Sequence, residues 1–308
     1  MAVCVHFGVN IFAMISGYVG ANARHKFSSF VKVYAMVWFY SVGIWVLYLL
    51  CTDSFSSAWG EIVKALFPVV TKAYWYFTAY TVLWFIMPLL NHGIECVEIY
   101  PDFQRGLLLF LLIVTIIPIV SPNADCKYTL GIFDGHNLIW LAICYCIGAY
   151  SHRYGLCKNW SNMQIIIACC LSILFTPAWL VISSLFFQSR CISVFTEYSS
   201  LPMMLSALFL LLAFERLHID IGNQFIRFVT PSLFSVYLIH DHPAIHEWLR
   251  GRLSFIWTIP FYLLPLCIFL VVVSLFISCI IIDLVRRAIV VKVQSVRQPT
   301  MACGFETK

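Results

Sequence analysis

Apolar runs of about 20 residues recur along this chain, separated by short breaks that carry charge, proline or glycine. A helix of about 20 residues, rising about 1.5 Å per residue, covers about 30 Å of hydrocarbon. The runs therefore read as membrane-crossing helices. About nine qualify: Val3–Ala21, Val31–Cys51, Ala73–Leu90, Gly106–Ser121, Asn137–Tyr150, Met163–Phe187, Ser199–Phe214, Val229–His240 and Ser254–Leu284. The fourth, fifth and eighth are short for a full crossing, and the last is long enough to tilt.

Composition narrows the function classes. Of 308 residues, 62% are hydrophobic and 11% charged, and mean hydropathy is +0.90. Average soluble domains carry about 25% charged residues. The pattern excludes an ordinary soluble enzyme, a disordered chain and a nucleic-acid binder. It predicts an all-α, polytopic transmembrane helix bundle whose solvent is the lipid bilayer. A single membrane domain is expected over residues 1–290, with a short polar cytoplasmic tail over 291–308. The 13 cysteines include no Cys-x-x-Cys pair, so they read as small buried hydrophobes.

The net charge of +5 belongs to the loops. Thirteen of the 19 Lys and Arg fall on one side of a nine-span count, including Arg24, Lys26, Lys32, Arg105, Arg153, Arg216 and Arg286. The other side holds Lys64, Lys72, Lys127, Arg190, Arg250 and Arg252. The positive-inside rule makes the first side cytoplasmic. The C-terminus is then inside and the start of the chain outside. An outside start with neither signal nor leading loop leads us to expect one further span ahead of Met1.

Several polar groups interrupt the apolar runs. Asn10 and Ser16 lie in the first span and need partners in lipid, as helix-packing glue or as cavity lining. Tyr76, Tyr80 and Trp84 recur every four residues and share one helix face, followed by Pro88 and Asn91. That face suits an interfacial aromatic belt or a platform for sugar rings. The densest polar stretch runs from Tyr237 to Trp248 and contains His240, Asp241, His242, His246 and Glu247. It reads as a polar outer mouth with a histidine available for proton transfer, in preference to a metal site. No Asp, Glu, Lys or Arg is expected mid-span, which disfavours an ion-coupled transporter. The basic loop around Arg24 serves topology or contacts the phosphates of a nucleotide-like donor.

Three stretches resemble the acyltransferase-3 family of bacterial membrane acyltransferases. They are Phe7–Tyr18, Tyr74–Asn91, and Gly148–Tyr150 with Val236–Pro243. The resemblance implies a bundle of about ten helices and transfer of an acyl group, commonly acetyl from acetyl-CoA, to a sugar hydroxyl. The acceptor would be a lipid-linked or cell-surface glycan at the bacterial inner membrane. No metal and no nucleic-acid partner is implied. The family's catalytic histidine belongs to a span that this sequence does not contain, and His6 is not given that role. In the region of the family's paired arginines, Arg24, Lys26 and Lys32 stand without Arg-x-x-Arg spacing. Within this chain His240 and Asp241 are the candidate catalytic groups. Asn10, Ser16, Tyr76, Tyr80 and Asn91 are candidates for substrate binding, and Arg24, Lys26, Lys32 and Arg153 for the CoA donor. A degenerate family member, or a glycan or lipid transporter, is the alternative.

Overall fold

The computed structural model describes residues 7–52, 55–96, 135–186, 195–217, 224–260 and 262–297, with single positions at 102, 106, 109 and 113. The expected span Gly106–Ser121 lies outside the described residues apart from three of those positions, as do His6 and the tail beyond Arg297.

Every element among the described residues is helical. In chain order they are α1 (Phe7–Gly20), α2 (Phe27–Thr52), α3 (Phe55–Leu66), α4 (Trp75–Cys96), α5 (Leu138–Tyr154) and α6 (Asn162–Phe186). Then come α7 (Leu201–Arg216), α8 (Gln224–Val229), α9 (Leu233–His240), α10 (Pro243–Arg252) and α11 (Leu264–Arg297). Four of these are long and apolar enough to cross a membrane, over Phe27–Cys51, Trp75–Cys96, Asn162–Phe186 and Leu264–Lys292. Their outer faces carry exposed Leu171, Leu174, Leu185, Phe269, Leu270 and Ile281, as lipid-facing surfaces do.

The eighth and ninth expected spans are divided. Pro231 opens a 3-10 turn, Thr230–Ser232, that separates α8 from α9. A proline removes one N–H from the ladder, and the short helices follow from that loss. The ninth run starts as a 3-10 segment, Leu253–Thr258, and becomes α-helical only at Leu264. Pro265 then sits near the start of α11, where its missing N–H costs nothing.

The chain forms two compact units. The first holds Met1–Lys26 and Trp75–Ile219. Its core is Met14, Leu83, Met87, Trp140, Leu141, Tyr145 and Ala207. Here α1 packs on α5 and α7, α4 packs on α5, and α6 packs on α7. The α1–α5 crossing is close because both helices present glycine. A Cβ on Gly17 would run into the carbonyl of Tyr145, and one on Gly148 into that of Met14. Asn10 contacts Trp140 and Tyr198 near the starts of α5 and α7, while Tyr18 contacts Glu215 and Asn22 contacts His152 at their ends. Helices α1, α5 and α7 are therefore parallel. Trp75 meets His136 and Arg153 meets Glu95, so α4 runs the same way. Arg216 reaches the start of α6, which opposes them. Those directions are the ones that alternate spans in the nine-span count require.

The second unit holds Phe27–Tyr74 and Asp220–Lys308. Ser235 contacts Met36 and His242 contacts Ser41, so α9 and α2 are parallel. Arg287 contacts Phe228 and Asp283 contacts Ser232 and Ser235, so α11 runs against α8 and α9.

Candidate functional site

In the first unit the aromatic face of α4 turns inward. Tyr76 and Tyr80 stack with centroids 6.3 Å apart at 18°. The Tyr76 hydroxyl hydrogen-bonds with Ser16 of α1, and Ser16 itself donates to Phe12 O within α1 at 2.9 Å. Both tyrosines pack against the core cluster while keeping partial exposure. They do not form a belt of isolated rings.

The two predicted asparagines do different work. Asn10 is fully buried. It donates to Tyr198 O at 2.7 Å and accepts from Trp140 Nε1 at 2.8 Å. Asn91 donates to Gly20 O at 3.1 Å and accepts from the Tyr145 hydroxyl at 3.0 Å. Each polar atom of both side chains has a protein partner, so these residues tie helices together and fix the walls around Tyr76 and Tyr80. For Asn10 the packing role named above is the one the geometry carries.

The predicted donor cations separate. Arg24 and Lys26 are exposed in the loop after α1, at the end where α1, α4 and α5 finish. Arg153 lies at that same end, paired to Glu95 at 2.9 Å. His152 is there too, hydrogen-bonded to Asn22 at 2.8 Å with its ring edge-on to Tyr18. Lys32 is exposed on α2 and belongs to the second unit.

His240 and Asp241 stand in the second unit at the α9–α10 junction. His240 is exposed, and its Nδ1 lies 2.7 Å from Val236 O. A carbonyl only accepts, so Nδ1 carries the proton and Nε2 the lone pair. Burial pushes the Asp241 carboxyl up, against the pull of His240, Tyr237 and His246. His242 is different. It is buried between Trp45 and Tyr74, accepts from Ala244 N–H at Nδ1 and donates from Nε2 to Ser41 O, each at 3.2 Å. Both of its nitrogens are engaged, so it pins α10 to α2 and has nothing left for a metal ion. Burial lowers its pKa to about 4. Among the described residues no group of His, Cys, Asp and Glu could hold a metal.

Three features escape the sequence reading. Trp75, His136 and Tyr198 form an aromatic corner, with centroids 4.5–6.0 Å apart. His25 stacks on Trp84 at 4.8 Å. Asp283 lies inside α11 with no exposure at all, within the apolar stretch Leu264–Lys292, correcting the expectation that no Asp, Glu, Lys or Arg falls mid-span. It accepts from Tyr40 at 2.6 Å, Ser235 at 2.6 Å, Ser232 at 2.7 Å and Arg286 at 2.7 Å. A buried carboxylate persists only with such compensation. Its four donors lie on α2, α11, α9 and the turn before α9, and they meet only in three dimensions. The sequence signal was a polar residue in each of these otherwise apolar stretches.

A family model described as an acyltransferase domain, that of the acyltransferase-3 family, matches residues 1–283. No curated protein and no solved structure matches the chain.

Proposed function

This chain belongs to the acyltransferase-3 family, and from that premise we propose that it moves an acetyl group from acetyl-CoA to a sugar hydroxyl of a cell-surface or exported glycan. The protein is a multi-span membrane acyltransferase by family and by helix content. The donor, the acceptor and a bacterial inner-membrane location belong to the proposal.

The observation that carries it is the inward aromatic face of α4. Tyr76 and Tyr80 are stacked, partly exposed and hydroxyl-bearing within an otherwise apolar helix packing. Aromatic faces suit the C–H face of a pyranose, and phenol hydroxyls suit its hydroxyls. Ser16 adds a third hydroxyl beside Tyr76. Asn10 and Asn91 hold the surrounding helices in place. At the end of the unit that the charge count makes cytoplasmic, Arg24, Lys26 and Arg153 supply cations for the phosphates of CoA. Lys32 is the corresponding cation of the second unit. No metal ion is needed for this chemistry. The acceptor hydroxyl must lose a proton as it attacks the thioester carbonyl, which is work for a histidine. His240 beside Asp241, in the second unit, is the pair the sequence offers for that work, with the lone pair of the His240 ring on Nε2.

The test is reconstitution in phospholipid vesicles with acetyl-CoA labelled in the acetyl group and a panel of lipid-linked and free oligosaccharides. Label that partitions with the glycan and leaves in mild alkali is an O-acetyl ester. Label that never reaches a glycan, with acetyl-CoA or longer acyl-CoA donors, sinks the reading in favour of a non-catalytic family member.

A further inference from the structure

Trp75, His136 and Tyr198 stand at the starts of three parallel helices. Trp75 opens α4, His136 lies just before α5, and Tyr198 lies just before α7. They share the end of the first unit opposite Arg24 and Arg153, which the charge count makes the outer end. His136 meets Tyr198 edge-on, 4.5 Å between centroids at 86°. Trp75 is tilted against His136 at 55° and against Tyr198 at 58°. No two of these rings stack face on face, so they form a three-walled corner and do not seal one another. His136 is exposed, and the other two are half-buried. The Trp75 indole N–H has no partner among the described residues, whereas Trp140 of the same unit donates its own to Asn10.

The corner is held by its surroundings. Gly135 takes a φ of +73°, and a Cβ there would run into Tyr198 Cβ. Only glycine lets this segment bring His136 against Tyr198. Asn137 then starts α5 by accepting from Trp140 N at 2.9 Å. Buried Asn10 fixes the other wall by donating to Tyr198 O at 2.7 Å. A ligand entering such a corner does not have to order it first.

Tilted ring faces with an open N–H and an imidazole suit a pyranose. Its C–H face rests on a ring, and its hydroxyls meet the polar groups. The corner also adjoins the face proposed for the acceptor, because Trp75 meets Tyr76 edge-on at 5.8 Å. We propose that the corner is a second sugar subsite, which holds the residue next to the one that is acetylated. This rests on the acyltransferase reading above and extends its acceptor to an oligosaccharide of at least two sugars. The glycosyl transfer that joins the second sugar then precedes acetylation.

The experiment compares the panel glycans with the same glycans trimmed to three, two and one sugar, in lipid-linked and free series. Transfer in vesicles gives KM, and calorimetry without acetyl-CoA gives Kd. The expected KM and Kd are several-fold to tenfold lower for three sugars than for one. Trp75→Ala and His136→Ala should each bring that ratio close to one, and Trp75→Phe, which keeps a ring, should retain most of it. His136 is exposed, so His136→Ala should keep the wild-type unfolding midpoint, which separates the subsite from folding. Equal constants for one and three sugars in the wild type overturn the proposal. A ratio that both alanine variants preserve does so too, since the rings would then be packing or an interfacial belt. A length effect confined to the lipid-linked series belongs to the lipid and also overturns it. If no glycan is labelled but the Kd ratio holds and falls in Trp75→Ala, the transfer reading fails while the subsite stands.

Discussion

The Tyr40 hydroxyl donates to Asp283 Oδ1 across 2.6 Å, joining α2 to α11 inside the second unit. Ser232, Ser235 and Arg286 complete the shell around that carboxylate. Removing one partner of a buried, hydrogen-bonded pair typically costs about 3–5 kcal/mol. Asp283→Ala strands Arg286 and three hydroxyls, and it should lower the unfolding midpoint in detergent sharply. Tyr40→Phe loses the hydrogen bond to the carboxylate, worth about 1.5–3 kcal/mol, and the longer one accepted from Arg286 Nε at 3.2 Å, but it leaves Asp283 paired with Ser232, Ser235 and Arg286 and should cost less. Equal losses from the two would show that the whole shell fails once the Tyr40 hydroxyl is gone, and no loss in Tyr40→Phe would show that Tyr40 contributes through its ring and not through its hydroxyl.

The α1–α5 crossing predicts a size limit in the first unit. A methyl group on Gly17 or Gly148 meets backbone, which cannot rotate away. Overpacking of this kind costs about 1–3 kcal/mol. Gly17→Ala and Gly148→Ala should each destabilise the protein, whereas Gly43→Ala on α2, where a Cβ meets nothing within 4 Å, should not. Thermal unfolding of the three variants decides the matter, and indifference at Gly17 would refute the close crossing.

Much of this frame was legible in the sequence. The directions of α1, α4, α5, α6 and α7 follow from counting spans and cations, because charged loops must lie outside the hydrocarbon whatever the packing. The partners of Asn10 were not legible. Trp140 and Tyr198 lie 130 and 188 residues away. Asp283 escaped because a charge near the end of an apolar run looks like an ordinary loop charge. His25 carried a local clue in the four-residue step from Trp84 to Pro88, which leaves a carbonyl open, but nothing in the sequence said which donor would take it.

Acid should weaken the second unit through His242. Its pKa is about 4 in the folded protein, because burial disfavours the charged ring, against about 6.5 when unfolded. Below about pH 6.5 the unfolded chain binds a proton that the folded chain does not, so stability falls as pH drops toward 4. The full effect is about 3.5 kcal/mol at about 1.4 kcal/mol per unit. His242→Gln should flatten this part of the stability–pH curve. An unaltered slope in that variant would assign the acid sensitivity to another group.

The aromatic face of α4 gives a kinetic prediction. Tyr80 stacks on Tyr76, and on the reading above both rings meet the acceptor sugar. Truncating one stacked ring removes about 0.5–1.5 kcal/mol of aromatic contact beyond simple burial, or up to about tenfold in affinity. Lost ground-state binding appears in KM with kcat little changed. Tyr80→Ala should therefore raise the KM for glycan several-fold to tenfold and leave the KM for acetyl-CoA as it was. Tyr80→Phe keeps the ring and should stay near wild type in both. A shift confined to the acetyl-CoA KM would place this face on the donor side and move the acceptor elsewhere in the protein.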